Sequence, residues 1–167
     1  MKEHGIMFKA PMVVAILDGR KIVTRRGSLS WLKVKKGDRL WVRETWAAYT
    51  KPNYETGECD EIEIECAPRE MPDRYGTTRE DVIYAADNKA RPDRWRPAVI
   101  MPRWASRILL EATEDAALGS IDDVDDEEAQ REGFGSAAEF HAAYQEYNKG
   151  VDSKPCVVIR FRKVERL

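Results

Sequence analysis

The sequence predicts an α+β fold in which short strands form a mixed barrel and helices flank it. Several short segments alternate apolar and polar residues with the period of two that half-buried strands show. Helix signals are confined to one segment near residue 10 and two successive segments after residue 120. Short strands with helices segregated from them favour an α+β barrel over a doubly wound sheet. We expect a single domain over residues 1–167, with a barrel of about five to six strands.

The first elements follow from local signals. Residues 5–9 (GIMFK) predict a short strand, and residues 22–25 another. Between them, residues 11–18 (PMVVAILD) predict a buried helix of about two turns, with proline in its first turn and Gly19 just past its end. The β-branched pair in this segment leaves a strand open. Residues 38–46 (DRLWVRETW) have the alternation of a half-buried strand.

The middle of the chain is the least regular. Residues 47–80 carry several prolines and glycines among many charges, which predicts a long irregular insertion that acts as a lid or a loop. Within it, EIEIEC at 61–66 alternates and could form a hairpin strand. Residues 81–87 (DVIYAAD) predict a strand. Residues 104–113 (WASRILLEAT) also predict a strand, although a helix fits them too.

The last third predicts two helices and a strand. The segment 120–133 places acids in the first turn of a helix and Gly133 after its end, both of which suit the helix dipole and its cap. In the next segment, Ser136 and Glu139 have the spacing of a capping box, and Gly150 closes the helix. The final segment 156–164 (CVVIRFRKV) alternates, and predicts a terminal strand with one apolar face.

Composition excludes several classes of protein. No apolar run approaches the length of a membrane span, and the start of the chain does not resemble a signal peptide. We therefore expect a cytoplasmic protein with no membrane partner. We also expect a monomer. Three cysteines without a CxxC pair disfavour a disulfide framework or a zinc knuckle. The two histidines, His4 and His141, have no partner pattern for a triad or a metal site. We expect no cofactor and no metal.

Charge is unevenly distributed along the chain. Eleven Lys and Arg residues against four acids occupy residues 1–50, whereas eleven acids occupy residues 114–150. The basic part could bind a polyanion such as RNA. The alternative is that the two parts neutralise each other in the folded protein.

The segment 19–26 (GRKIVTRR) carries the most chemical information. It places four cations and one hydroxyl in eight residues. A lysine that is partly desolvated or lies beside other cations has a lowered pKa and can act as a base, and a hydroxyl next to such a base can become a nucleophile. Lys21 and Thr24 are therefore candidate catalytic residues. The alternative is a solvated basic strand.

This segment resembles the ASCH signature Gly-x-Lys-x-x-Glu-x-Arg, which matches Gly19, Lys21 and Arg26 and has Thr24 in place of the glutamate. Bacterial N4-acetylcytidine amidohydrolases, a subgroup of the ASCH family, also carry threonine there. Three ordered blocks at 5–26, 37–46 and 94–108 resemble a larger ASCH group that is common in bacteriophages. Residues 47–80 fall outside the resemblance.

The resemblance implies a PUA-like β-barrel, often associated with RNA binding. In the amidohydrolase subgroup a lysine acts as base, a threonine as nucleophile and a glutamate as proton donor, which correspond here to Lys21, Thr24 and, by a weaker match, Glu132. An exposed role for Glu132 is equally compatible with the sequence. Arg25, Arg26 or Arg43 could stabilise an oxyanion.

Two further groups of residues are candidates for binding a nucleobase or RNA. Aromatic rings stack on bases, and Arg or Glu side chains bind base edges and phosphates. The alternative for both groups is a structural role, with tryptophans in the core and an Arg–Glu pair. The candidate binding residues are Lys9, Arg25, Arg26, Arg43, Glu44, Trp46, Tyr84, Arg94, Trp95, Arg96, Arg103 and Arg107.

Three functions follow from these observations. The first is hydrolysis of an amide on an N4-acylated cytidine-type nucleoside. The second is a non-catalytic RNA-binding module, and the third is a metal-independent ribonuclease that uses the same Lys21 and Thr24. The partner is accordingly RNA or a modified nucleoside.

Overall fold

The computed structural model describes most of the chain, namely residues 1–48, 81–89, 92, 94–148 and 155–165. The chain forms two compact units. The first consists of Met1–His4, Ala15–Leu40 and Ile108–Leu167, and the second of Gly5–Val14 and Trp41–Arg107. The expectation of a single domain stays a prediction.

The described residues form eight strands and three α-helices, together with short 3-10 turns. The strands are β1 (Glu3–Met7), β2 (Val23–Arg26), β3 (Arg39–Arg43), β4 (Trp46–Ala48), β5 (Val82–Tyr84), β6 (Leu109–Ala112), β7 (Ala117–Gly119) and β8 (Cys156–Val164). The helices are α1 (Ala10–Leu17), α2 (Asp126–Arg131) and α3 (Ala137–Tyr147). The α+β class predicted from the sequence is confirmed.

Six strands form one sheet in the order β1-β3-β6-β8-β2, and β7 also pairs with β8. Strand β8 is antiparallel to β2, β6 and β7, so its nine residues support three partners. Among the described strands, β1 and β2 lie at opposite ends of the order, and the sheet does not close on itself. The predicted barrel is therefore not formed. Alternation in a sequence indicates which face of a strand is buried, but it does not indicate whether the edge strands meet.

In the first unit, the predicted alternation of β8 is confirmed. Val157, Ile159 and Phe161 are buried, and Cys156, the first residue of the strand, is buried too. The strand predicted over residues 22–25 is observed one residue later, as β2, whose register with β8 pairs Thr24 with Ile159. The turn at Leu29–Lys33 and strand β7 were not predicted, because neither has a periodic apolar pattern.

Helix signals near the end of the chain are confirmed by their caps. The Asp125 side chain accepts a hydrogen bond from the Glu128 amide at 2.9 Å, which begins α2. Ser136 accepts from the Glu139 amide at 3.3 Å, which begins α3, while the Glu139 carboxylate accepts from Gly135 rather than from Ser136. This second bond differs by one residue from a regular capping box.

The second unit contains a two-stranded antiparallel sheet, in which β4 pairs with β5 and Trp46 lies opposite Tyr84. The backbone of Arg96 bridges to Trp46 on the other side. The predicted strand over 104–113 begins only at Leu109, since Trp104 belongs to a 3-10 turn. The first two residues of the insertion predicted over 47–80 belong to β4, and its residues 49–80, which include the possible hairpin strand 61–66, lie outside the described residues. The core of this unit is built from Trp46, Ala48, Val82, Met101, Trp104 and Ala105.

Candidate functional site

Lys21 is the centre of a buried polar group in the first unit. Its side chain is 2% exposed, yet its ammonium nitrogen has three oxygen acceptors within reach. Nζ donates to the carbonyl of Val23 at 2.8 Å, to the carbonyl of Glu132 at 2.7 Å and to Glu132 Oε2 at 2.7 Å. An ammonium has three N–H donors, so these bonds offset much of the cost of burying its charge.

The chain reaches this position through the end of α1. Gly19 adopts a φ of 76°, and the amides of Arg20 and Lys21 both donate to the carbonyl of Ala15, which ends the helix. The amide of Ile22 then donates to the carbonyl of Arg131 at 2.9 Å. This bond ties the start of β2 to the end of α2.

Gly133 allows Glu132 to approach Lys21 closely. Its φ of 90° is in the region that favours glycine, and a Cβ there would lie 2.8 Å from the Cβ of Ala15 and 3.3 Å from the Cβ of Lys21. The glycine that the sequence predicts as a helix end therefore also lets the backbone of Glu132 reach the lysine.

The Glu132 carboxylate lies between two cations. Oε2 accepts from Lys21, and Oε1 accepts from Arg25 Nη1 at 3.0 Å. Glu132 is fully buried, although it lies 111 residues from Lys21 in the chain. The structure thus brings together two of the three predicted catalytic residues, and the exposed position that the sequence left open for Glu132 is wrong.

The ion pairs continue outward from Glu132. Arg25 Nη2 donates to Glu128 Oε2 at 2.9 Å, and Glu128 Oε1 accepts from Arg131 and Arg160. We refer to Lys21, Arg25, Glu128 and Glu132 as the Lys21 cluster. Its charges alternate in sign from the buried lysine to the partly exposed Glu128.

Burial is the largest influence on the pKa of Lys21 and on that of the neighbouring Arg26. It lowers the pKa of Lys21, and the nearby charges of Arg25 and Arg26 lower it further, against the opposing effect of Glu132. Burial also lowers the pKa of Arg26 to about 10. For Arg25, the hydrogen bonds and charges of Glu128 and Glu132 outweigh its burial and raise the pKa. A lysine with a lowered pKa can act as a general base closer to neutral pH.

Thr24 is buried on β2, one residue before Arg25. Strand alternation places Thr24 on the face of Arg26 and on the opposite face to Val23 and Arg25. Arg26 lies over the ring of Trp31, 6.0 Å from its centroid. The predicted base Lys21 and the predicted nucleophile Thr24 are both buried in the first unit. At these two positions the alternative of a solvated basic strand is wrong.

A second polar group lies in the second unit, around Glu44. Its carboxylate accepts from Arg107 Nε at 2.9 Å and from Arg107 Nη2 at 3.0 Å, and Arg107 Nη1 pairs with Asp87. The Arg107 guanidinium lies 4.0 Å from the ring centroid of Tyr84, whose hydroxyl donates to the carbonyl of Ala105 at 2.7 Å. Burial raises the pKa of Glu44 despite the opposing effect of Arg107.

Trp46 is fully buried, and its ring packs edge-on against Trp104 at 6.1 Å. This is the core position that the sequence left open as an alternative to base stacking. The Arg–Glu pair of the alternative also exists, and the partner of Glu44 is Arg107, 63 residues away in the chain. Arg43 is the last residue of β3 and Glu44 follows it, and successive residues of an extended strand point to opposite faces.

The remaining candidate binding residues lie in the second unit. Arg43 stacks on Trp41 at 4.4 Å, and Arg103 lies 6.0 Å from the same ring. Arg43 also donates to the carbonyl of Val99 at 3.2 Å. Arg94 and Lys9 are exposed, whereas Trp95 and Arg96 are partly buried.

An open depression of about 570 Å³ lies along the outer side of α2. It is lined by Arg20, Glu127, Gln130, Arg131, Phe134 and Gly135. Arg131, one of these residues, pairs with Glu128, but neither Glu128 nor Glu132 is among the lining residues. The depression therefore does not include the acids of the Lys21 cluster.

Sequence reasoning missed Glu128 and Arg160 as partners of the predicted site. The available signal was the spacing of Glu128 and Glu132, which puts two acids on one side of a helix. Within the described residues, no group of three or more His, Cys, Asp and Glu side chains could hold a metal ion, and no helix is long and apolar enough to cross a membrane.

Comparison of the chain with protein-family models, with curated proteins and with solved structures finds no match.

Proposed function

We propose that this protein is an amidohydrolase that removes the acyl group from an N4-acylated cytidine-type nucleoside. The observation that carries the proposal is the 2.7 Å bond between Lys21 Nζ and Glu132 Oε2 inside the first unit. A lysine base and a glutamate acid are the two groups that the resemblance of segment 19–26 to the amidohydrolases implies. The proposal includes membership of the ASCH family, which is supported by that segment following α1 and containing β2.

The reaction needs a base and a proton donor, and transfer of one proton within the Lys21–Glu132 pair supplies both. Transfer of that proton along the bond from Nζ to Oε2 converts the ion pair into a neutral amine and a carboxylic acid. The amine is then a base and the carboxylic acid a proton donor. The lowered pKa of Lys21 favours this transfer, since burial disfavours the charged lysine.

Lys21 Nζ lies 2.8 Å from the carbonyl oxygen of Val23, the residue directly before Thr24. The first half-reaction requires the Thr24 side chain to turn toward this amine, which then takes the hydroxyl proton while Thr24 Oγ forms a bond to the acyl carbon. The amide C–N bond then breaks, and Glu132 gives its proton to the departing exocyclic amine. This step leaves an acyl ester on Thr24, an ammonium on Lys21 and a carboxylate on Glu132. Arg26, on the same face of β2 as Thr24, is suited to stabilise the oxyanion.

In the second half-reaction, water adds to the acyl carbon and gives a proton to the Glu132 carboxylate. The ester C–O bond breaks, and the Lys21 ammonium returns its proton to Thr24 Oγ. The products are the free acid and the restored threonine. The neutral pair of Lys21 and Glu132 is regenerated, so protons balance over one turnover.

The test is release of cytidine from N4-acetylcytidine, compared among wild type, Lys21→Met, Thr24→Val and Glu132→Gln. Each variant keeps the size of the buried side chain while removing its chemistry. We expect each to lose at least about a hundredfold in kcat/KM, as general acid–base groups do. Exposed residues of the first unit supply matched controls, Lys35→Met and Thr113→Val, which should retain activity. A folded wild type that releases no cytidine contradicts the proposal.

A second candidate function is RNA binding by the second unit. It is favoured by the position of Trp41, which carries Arg43 at 4.4 Å and lies 6.0 Å from Arg103. Cations over a partly exposed ring are a common arrangement for stacking and phosphate contact with single-stranded RNA.

This second function predicts affinity for a labelled single-stranded RNA that falls steeply with salt. Arg103→Ala and Arg94→Ala should weaken it, whereas Arg162→Ala in the first unit should not. Affinity that is independent of salt argues against this function. Cleavage of the RNA that is lost in Lys21→Met would instead identify the ribonuclease.

A further inference from the structure

The Lys21 cluster contains a residue whose arrangement is not explained by substrate binding. Arg25 was a candidate for contacting the substrate, but its side chain is only 6% exposed and lies 5.9 Å above the ring of Phe140. Its two terminal nitrogens donate to two different carboxylates, Nη1 to Glu132 Oε1 and Nη2 to Glu128 Oε2.

We propose that Arg25 is a positioning residue that fixes the Glu132 carboxylate against Lys21, and that Glu128 in turn anchors Arg25. A carboxyl group attached to a flexible side chain can rotate, and one bond to Lys21 fixes only one of its oxygens. The second bond, from Arg25 to Oε1, fixes the plane of the carboxylate. A planar guanidinium with parallel donors is suited to this task, whereas a lysine would supply a point charge.

Glu128 is placed to hold the arginine rather than the lysine. It lies one helical turn before Glu132, so both acids face β2 from the same side of the helix end. Glu128 also accepts from Arg131 and Arg160, and its side chain is 18% exposed. The anchor is therefore the outermost member of the cluster, and it can be changed without exposing the buried pair.

The charged and titratable groups around Lys21 and Glu132 come from three elements. Strand β2 supplies Arg25 and Arg26, whose charges act on Lys21. Helix α2 supplies Glu128, which pairs with Arg25, and β8 supplies the thiol of Cys156, whose pKa responds to the charges of Arg25 and Glu132. Tyr144 of α3 acts on Arg26. Of these, Arg25 is the group whose hydrogen bonds join two carboxylates of the cluster.

The test measures the Lys21 ammonium directly, so it does not depend on catalysis. A buried ammonium bound to a fixed carboxylate exchanges its protons with water slowly, and gives a separate ¹H–¹⁵N signal. We expect Glu128→Gln and Arg25→Gln each to speed this exchange about tenfold. Arg25→Gln removes the charge-assisted hydrogen bond to Glu132, and Glu128→Gln removes the charge that anchors Arg25. The backbone amides of β6 serve as an internal reference for global unfolding, and they should keep their wild-type protection in Glu128→Gln.

The matched control is Glu127→Gln, on the same helix. Glu127 is 73% exposed and pairs with Arg131, with no bond to Arg25. We expect the Lys21 signal to be unchanged in this variant. Unchanged exchange in a folded Glu128→Gln variant overturns the proposal. If Arg25→Gln does not fold, Glu128→Gln decides alone.

The consequence for rate rests on the proposed function. If cytidine is released, Glu128→Gln should lower kcat about tenfold with little change in KM, as loss of a residue that orients a catalytic group does. If Glu128→Gln speeds the Lys21 exchange but the wild type releases no cytidine, the positioning role is supported and the amidohydrolase function is contradicted. If the wild type releases cytidine but Glu128→Gln leaves the Lys21 exchange unchanged, the amidohydrolase function is supported and the positioning role is contradicted.

Discussion

Glu132 Oε2 lies 2.7 Å from Lys21 Nζ, and the carbonyl oxygen of the same glutamate lies 2.7 Å from the same nitrogen. One residue of the α2 terminus thus contacts the lysine with both its side chain and its backbone. Lys21 is thereby held to the end of α2 as well as to β2, where it donates to the carbonyl of Val23. The cluster is consequently a structural link as well as a candidate site, and its stability is testable apart from any activity.

Removal of one partner of the buried pair should be costly. Lys21→Met leaves Glu132 with Arg25 alone, and Glu132→Gln leaves the lysine charge without its carboxylate. Breaking a buried ion pair on one side costs about 3–5 kcal/mol. The measurement is the free energy of unfolding in urea, from the midpoint and slope of the transition.

The control for this prediction is an exposed ion pair of the same unit. Lys35 contacts Asp115 at 3.1 Å, with both side chains more than half exposed. Lys35→Met should change the free energy of unfolding by less than about 1 kcal/mol, because surface pairs contribute little. Equal effects of Lys21→Met and Lys35→Met would contradict the buried pair.

The elements that sequence reasoning predicted are those with local causes. Strand β8 shows a two-residue alternation, and α2 begins at an acid cap and ends near Gly133, so both were predictable from short segments. The arrangement of the strands was not predictable in the same way. Closure of a barrel depends on which edges meet, and β1 and β2 lie at opposite ends of the strand order.

The residues of the candidate site also differ in whether a local segment or a distant contact reveals them. Lys21 and Thr24 lie in one octapeptide, and their selection needed only that segment. Glu132 came from the resemblance, and its contact with Lys21 joins residues 111 positions apart. Glu128 was missed because acids are abundant in α2, and the sequence does not show which of them face β2. Trp46 was a candidate for stacking, yet its burial depends on Trp104, which no local pattern reveals.

Gly133 should be more sensitive to substitution than Gly19. Both have positive φ, 90° and 76°, so alanine is strained at either position. At Gly133 the new Cβ would also lie 2.8 Å from the Cβ of Ala15, whereas at Gly19 nothing lies within 4 Å. Gly19→Ala should cost about 1 kcal/mol from backbone strain, and Gly133→Ala about 2–3 kcal/mol. Thermal unfolding of both variants measures the difference, and equal losses would show that the close approach to Ala15 does not matter.

Glu44 should stabilise the second unit through Arg107. Glu44→Gln removes the charge from a carboxylate that accepts two bonds from Arg107, while Asp87 still pairs with that arginine. The loss should be about 1.5–3 kcal/mol, the usual value for hydrogen bonds to a charged group. Urea unfolding measures it, with Asp81→Asn as a partly exposed acidic control from the same unit. A Glu44→Gln variant as stable as wild type would contradict the pairing.

Asp38 should make stability depend on pH in the acid range. The amide of Lys2 donates to Asp38 Oδ1 at 2.7 Å, the amide of Lys35 donates to Oδ2 at 3.1 Å, and His4 Nε2 lies 3.3 Å from Oδ2. The backbone bond from Lys2 is the largest cause that lowers the pKa of Asp38, which burial opposes. A carboxyl whose pKa is lower in the folded protein than in the unfolded chain contributes stability above its unfolded pKa of about 3.9, and loses it as pH falls toward the folded pKa.

Asp38→Asn should therefore lower the free energy of unfolding at pH 7 and flatten its decrease below about pH 4. The measurement is urea unfolding of wild type and Asp38→Asn between neutral pH and the acid transition. Asp122→Asn, an exposed acid of the same unit, should leave the slope unchanged. If the two variants and the wild type lose stability in parallel as pH falls, the bonds from Lys2 and Lys35 to Asp38 do not set its titration.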